Sequence, residues 1–495
     1  MRVKRPLAVT SLARAYDLQC PRYLTWILDP EQHPPQKMED TAAGRELSRH
    51  GIEHEDRAIS LLSDGVQVVV PEYPAGDLAA GTRITLELME QHVPFIGQAP
   101  LHAELPGLPF PVHGLVDLLK LSHHGTNRSY QVMEIKSSRR IKTSQMLQAT
   151  LYRRMVEQIS DRKDLPLPVV VDGFMHEYPV PVTDFDPLVT EFLEMVIPRW
   201  FETDAGVFHR TPRCFLCPFD IECKTDARVR GHSSIISGVS RGVAQRMSAL
   251  GADSPLQVDT GEPERLRSIA MDAGFIESIK VQANALVENR IIPVPTPSPI
   301  PSSVVELFLD IEPDPTGPYP CRLGLFKRDN SIQRTAYRGR IMPVESDEGP
   351  AHINAFIDLL IRQIRRAISQ SKSWLLLYYG GSVAESLIKL AETSGAGDLL
   401  IDELFSNAID IRTLLRRIWH VPVERYALSE VLSACGLRYE SDDPGFVLYR
   451  QWRSSQENER SEAEKSLLEH GERYCESLMS LWNRMQSTSE RINER

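Results

Sequence analysis

Residues 112–138, VHGLVDLLKLSHHGTNRSYQVMEIKSS, decide how the first half of the chain folds. VHGLVDLLKLS and YQVMEIKSS each read as a strand, and HHGTNR between them supplies a hairpin turn. Asp117 lies in the first strand, Glu134 and Lys136 in the second. Side chains two apart in a strand share a face, so Glu134 and Lys136 point the same way. From Ser144 to Gln158 the apolar residues Met146, Leu147, Leu151, Met155 and Val156 follow helical spacing, and RELSRHGIEHEDRAISLL upstream is also helical. The first block is therefore α/β, a strand pair set between helices.

An acid on one strand and an acid-x-lysine on the next can hold a divalent metal beside a phosphodiester. The metal acidifies a water and neutralises phosphate charge. Mg²⁺ or Mn²⁺ takes oxygen ligands and keeps several waters, so Asp117, Glu134 and the Ile135 carbonyl suffice. Lys136 can orient the water or stabilise the phosphorane. A D…E-x-K triplet alone is common and is usually a solvated strand edge. Three neighbours strengthen it here. Gly114 precedes Asp117 and lets backbone approach. Gln148 and Tyr152 lie one helical turn apart on one face. Gly51-x-x-His54-Glu55 offers an imidazole as a further ligand.

Cys20 stands alone near the start, and Cys214, Cys217 and Cys223 follow as C-x₂-C-x₅-C. Four thiolates can ligate one metal centre. Structural zinc usually uses two short cysteine pairs, so the lone Cys20 fits an iron–sulfur cluster better, with zinc as the rival. Cys321, Cys435 and Cys475 read as small buried apolar residues.

At 495 residues two or three domains are expected. The net charge of −11 argues against nucleic-acid binding except through a local patch. Residues 136–154 provide one, with Lys136, Arg139, Arg140, Lys142, Arg153 and Arg154 and no acid. No apolar run reaches 18 residues and no secretory signal is visible, which with clustered cysteines predicts a cytoplasmic protein. The proline-rich IIPVPTPSPIPSS reads as a linker. The expected blocks are 1–230, 231–290, the linker 291–303, and 304–495.

In the second block, Ile236, Gly238, Val239, Ser240, Ala244 and Met247 resemble the hairpin half of a helix-hairpin-helix, with a plain helical connector equally open. The last block opens with the strand VVELFLDIE, carrying Asp310 and Glu312. PCRLGLFKR and WLLLYYG follow as strands among helices, an α/β sheet.

Taken in order, these motifs resemble the RecB-type branch of the PD-(D/E)xK nucleases, and within it the iron–sulfur members, such as the AddB nuclease domain and the CRISPR-associated exonuclease of spacer acquisition. The resemblance covers residues 11–225 and implies a restriction-endonuclease-like domain. By it, His54, Asp117, Glu134 and Lys136 are catalytic, with Mg²⁺ or Mn²⁺, and Gln148 and Tyr152 line the DNA path. Cys20, Cys214, Cys217 and Cys223 would hold a 4Fe–4S cluster. It further implies exonucleolytic attack on single-stranded DNA ends in repair, spacer acquisition or anti-phage defence, beside a protein partner such as a helicase. The rival function is a non-catalytic DNA-binding scaffold.

The whole chain is also similar to RecB-like nucleases that end in an RNase H-like domain. That likeness extends through YYGGSVAESLIKL, IDIRTLL and LLEHGERYCESLMSLWNRM. Asp310, Glu312 and Asp410, with Glu385, would then form a second metal site. Tyr474 stands where that family's closing aspartate is expected, so this domain is expected to be a degraded nuclease.

Overall fold

In a computed structural model the chain divides into two compact units, Met1–Thr225 and Asp226–Arg495. The structure describes residues 5–36, 41–124, 127–202, 213–214, 217–261, 272–294, 298–315, 317, 319–343, 348–395, 398–438 and 444–493. Both units are mixed α/β.

The first unit has one mixed sheet of six strands: β1 (Leu7–Ala8), β2 (Phe95–Ala103), β3 (Val112–His124), β4 (Asn127–Ile135), β5 (Val169–Val171) and β6 (Glu177–Pro179). The long β3 pairs antiparallel with β2 on one side and β4 on the other, and β4 continues parallel to β5. The register Leu118↔Met133 sets Asp117 and Glu134 side by side. The tip of the expected hairpin, residues 125–126, lies outside the described residues.

Helices α1 (Val9–Leu18), α2 (Pro21–Ile27), α3 (Ala42–Leu62), α4 (Leu78–Glu90) and α5 (Thr143–Ser160) surround this sheet in sequence. In α5, Leu147, Leu151 and Met155 are fully buried at i, i+4 spacing. Gln148 and Tyr152 sit one residue further round the same helix and are buried with them. That places a polar stripe beside the sheet where Glu134 emerges.

The second unit carries strands β7 (Ile292–Pro293), β8 (Val305–Glu312), β9 (Arg322–Asp329), β10 (Arg334–Ile341), β11 (Trp374–Tyr378), β12 (Ala408–Asp410) and β13 (Trp419–His420). Five of them form a mixed sheet in the order β10-β9-β8-β11-β12. Strand β8 is its centre and is buried along nearly its whole length, as its unbroken apolar run predicts.

Residues 231–290 and 291–303 fall within the second compact unit. Strand β7 pairs with β13, and the Val294 N–H donates to the Ile418 carbonyl at 2.9 Å. Gln282, in the helix Ala273–Glu288, donates to the Val421 carbonyl at 2.7 Å. The proline-rich start is thus an edge strand, a place proline tolerates because it needs no second N–H. Ile236, Val239, Ala244 and Met247 pack in one helical core. Gly238 turns at φ 94° before Ser240 caps the helix Arg241–Ala249. Among the described residues no helix is long and apolar enough to cross a membrane.

Candidate active site

Asp117 and Glu134 meet on neighbouring antiparallel strands. Asp117 Oδ2 accepts the Ile135 N–H at 2.7 Å. Glu134, 1 % exposed, takes Gln148 Nε2 on Oε1 at 2.6 Å and pairs through the same oxygen with Lys136 Nζ. Its second oxygen, Oε2, is buried with no hydrogen-bond partner. A buried carboxylate oxygen without a partner is costly unless something else satisfies it.

The electrostatics follow from that crowding. Burial, and then Asp117, push the Glu134 carboxyl up to about 8. Burial likewise raises Asp117, against Lys136 and the Ile135 N–H. Burial opposes the charge of Lys136, but Glu134 and Asp117 outweigh it and its ammonium is held above the usual lysine range. Two acids beside one cation in a desolvated space hold on to protons, which a divalent cation would displace.

Tyr152 completes the wall. Its hydroxyl bonds with the Gln148 side chain and the Leu115 backbone. The reason for Gly114 is now specific: a Cβ there would stand 2.6 Å from the Tyr152 ring and hydroxyl. The glycine admits the tyrosine rather than a substrate.

Helix α3 contributes two neighbouring residues, His54 and Glu55. His54 is buried, its ring bonds the Asp172 backbone, and its neighbouring charges are Arg57 and Asp172. Its Nε2 is buried with no hydrogen-bond partner. The next residue, Glu55, is the one in the field of Asp117, Lys136 and Glu134. Burial first, and Asp117 second, raise its carboxyl to about 7. Glu55 is bonded by Gln98 of β2. Gln98 lies opposite Asp117, between the pairs Gly97↔Leu118 and Ala99↔Val116, and adopts φ 46°, a left-handed conformation rare for such a residue. Glu55 and Gln98 were missed as site residues. Glu55 stood beside His54 in the motif, but sequence alone does not say which of two adjacent helical residues faces the sheet.

A cleft of about 490 Å³ opens beside Lys136 and Gln148, lined also by Arg14, Lys142 and Arg213, the last paired with Asp17 at 3.6 Å. The basic run therefore divides. Lys136 and Lys142 face this cleft, whereas Arg153 pairs with Glu157 at 2.7 Å and Arg154 with Asp186 at 2.8 Å.

The cysteines converge from both ends of the unit. Cys20 is the N-cap of α2, with Pro21 in the first turn. The Cys217 N–H donates to the Cys214 carbonyl at 2.8 Å, and Cys223 lies in the helix that begins at Asp220. All four are half-buried. Cys217 lies in the field of Cys20 and Cys214, and Cys223 in that of Cys217 and Cys20. Burial pushes the thiols of Cys217 and Cys223 up to about 12. Among the described residues, no three His, Cys, Asp or Glu side chains are already set as a metal-holding group.

In the second unit the acids have other partners. Asp310, 1 % exposed, receives Arg322 Nε on Oδ2 at 2.6 Å and Nη2 on Oδ1 at 2.9 Å, and the Tyr337 hydroxyl at 2.8 Å. Glu312 accepts the backbone N–H groups of Gly445 and Phe446. Asp410 caps a helix, accepting from the Gly380 and Arg412 N–H groups at 2.8 and 3.0 Å and from Thr413 Oγ1 at 2.6 Å. Glu385 is exposed, and Tyr474 packs against the apolar core. Cys321, Cys435 and Cys475 are buried, as expected.

No protein-family model, no curated protein and no solved structure matches this chain.

Proposed function

We propose that the first unit is a metal-dependent phosphodiesterase acting on DNA, of the RecB-like PD-(D/E)xK kind, and that it attacks single-stranded ends. The observation that carries this is the buried Glu134, with Oε2 unsatisfied, beside Asp117 and Lys136 on adjacent strands. Asp117 and Glu134 would hold a Mg²⁺ or Mn²⁺, which supplies Lewis-acid activation of water and phosphate. Lys136 places an ammonium beside them, Gln148 holds the Glu134 side chain and is itself bonded by Tyr152, and the basic cleft suits a phosphate backbone. Release of acid-soluble nucleotides from single-stranded DNA by the full chain, present with Mn²⁺ and abolished by chelator, tests this. Equal release with chelator contradicts it.

The four thiols fit a soft-metal centre, an iron–sulfur cluster with zinc as the rival. It would tie α2 to the end of the unit and so stabilise the fold. The RNase H-like reading of the second unit is supported by its mixed sheet, with Asp310 on the central strand. Arg322 engages both Asp310 oxygens, which supports a non-catalytic role for this unit.

A further inference from the structure

Between strands β9 and β10 and the helix Gly349–Ser369 lies a second cavity, of about 300 Å³, far richer in positive charge than the chain as a whole. Lys327, Arg334, Arg338, Arg366 and Lys372 line it, against the single carboxylate of Asp329. Asp329 is already held by Lys372 at 2.8 Å and by Ser331. Among the described residues no carboxylate pairs with Arg334, Arg338 or Arg366. Lys327 is held below the usual lysine range by burial and then by Arg366 and its other cationic neighbours. Unpaired cations gathered in a concave space focus positive potential and attract anions.

We propose that this cavity is a binding site for a phosphate ester, carried by a single nucleic-acid strand or by a free nucleotide. The site stands on its own residues and does not depend on the first unit being a nuclease. The layout favours a strand. β10 is the sheet edge, and Arg334 and Arg338 lie on its exposed face, about 13 Å apart along an extended chain. Cations spaced along an open edge can follow successive phosphates, whereas a lone nucleotide needs them closed on one point.

The test uses the full chain in chelator, where no metal-dependent cleavage can occur. Binding of a fluorescent single-stranded oligonucleotide is measured by anisotropy across salt concentrations. Thermal shift with inorganic tripolyphosphate forms the second arm. The triple variant Arg334→Ala, Arg338→Ala, Arg366→Ala should bind the oligonucleotide about tenfold more weakly, with a log–log salt slope smaller by about two. The double variant Arg334→Gln, Arg338→Gln, with both changes on the open edge, repeats the test if the triple variant does not fold. Loss of the tripolyphosphate shift without an oligonucleotide effect assigns the site to a free phosphate compound. Wild-type behaviour in both arms overturns the proposal. Both arms are read in chelator and neither needs cleavage, so a failed nuclease assignment and a failed phosphate site remain distinguishable.

Discussion

Arg322 grips Asp310 with two parallel hydrogen bonds, and neither side chain reaches solvent. The β8/β9 register puts Arg322 opposite Glu312, one diagonal step from Asp310. A Cβ on Gly471 would collide with Asp310, Arg322 and Tyr337, so this glycine lets the helix Glu457–Asn493 close over the pair. Both Asp310 oxygens are thereby taken, with the Tyr337 hydroxyl also on Oδ2 at 2.8 Å. Asp310→Asn in the full chain should therefore leave metal-dependent DNA cleavage unchanged. Arg322→Ala should destabilise the second unit by about 3–5 kcal/mol, because it strands a buried carboxylate. Loss of cleavage in Asp310→Asn, with melting unchanged, would show a second working site.

The pH dependence of stability tests the electrostatics of Glu134. Its folded-state carboxyl titrates near 8, raised by burial and Asp117. The folded metal-free protein keeps this proton after the unfolded chain has released it. Stability must then fall as pH rises from about 4.5 to about 8. Glu134→Gln has no such proton to lose. In chelator its melting temperature relative to wild type should rise between pH 5 and pH 8. A difference that stays flat with pH would refute the raised value.

Gly114 and Tyr152 should behave as one unit. Gly114→Ala overpacks the contact and should cost about 1–3 kcal/mol, with reduced cleavage. In a Tyr152→Ala background the same change should cost much less, since its collision partner is gone. Additive effects in chemical denaturation would mean that the close approach does not matter.

The cysteine cluster predicts both a colour and a melting change. Protein purified without oxygen should be brown and contain iron. Cys217→Ser should bleach it and lower its melting temperature, since the centre joins distant segments. Zinc without iron in metal analysis would replace the cluster with a structural zinc.

The alternating pattern around Asp117, Glu134 and Lys136 was legible because strand period fixes which side chains share a face. The i, i+4 placement of Gln148 and Tyr152 was legible for the corresponding helical reason. Glu55 was not, since the rotation of α3 against the sheet is set by packing rather than by its own sequence. Arg322 was hidden as well: a buried arginine looks like any surface arginine until the register brings it to Asp310. In the proline-rich segment the two-residue strand β7 was not legible, because proline suits an edge strand and a linker equally well.

The most direct test of the central claim compares wild type and Glu134→Gln in Mn²⁺-dependent hydrolysis of end-labelled single-stranded DNA, with both proteins shown to be folded by circular dichroism. The account predicts wild-type cleavage that chelator stops, and a loss of at least about a hundredfold in the variant, because a metal-holding oxygen has gone. Cleavage by the folded Glu134→Gln protein at close to the wild-type rate would contradict it.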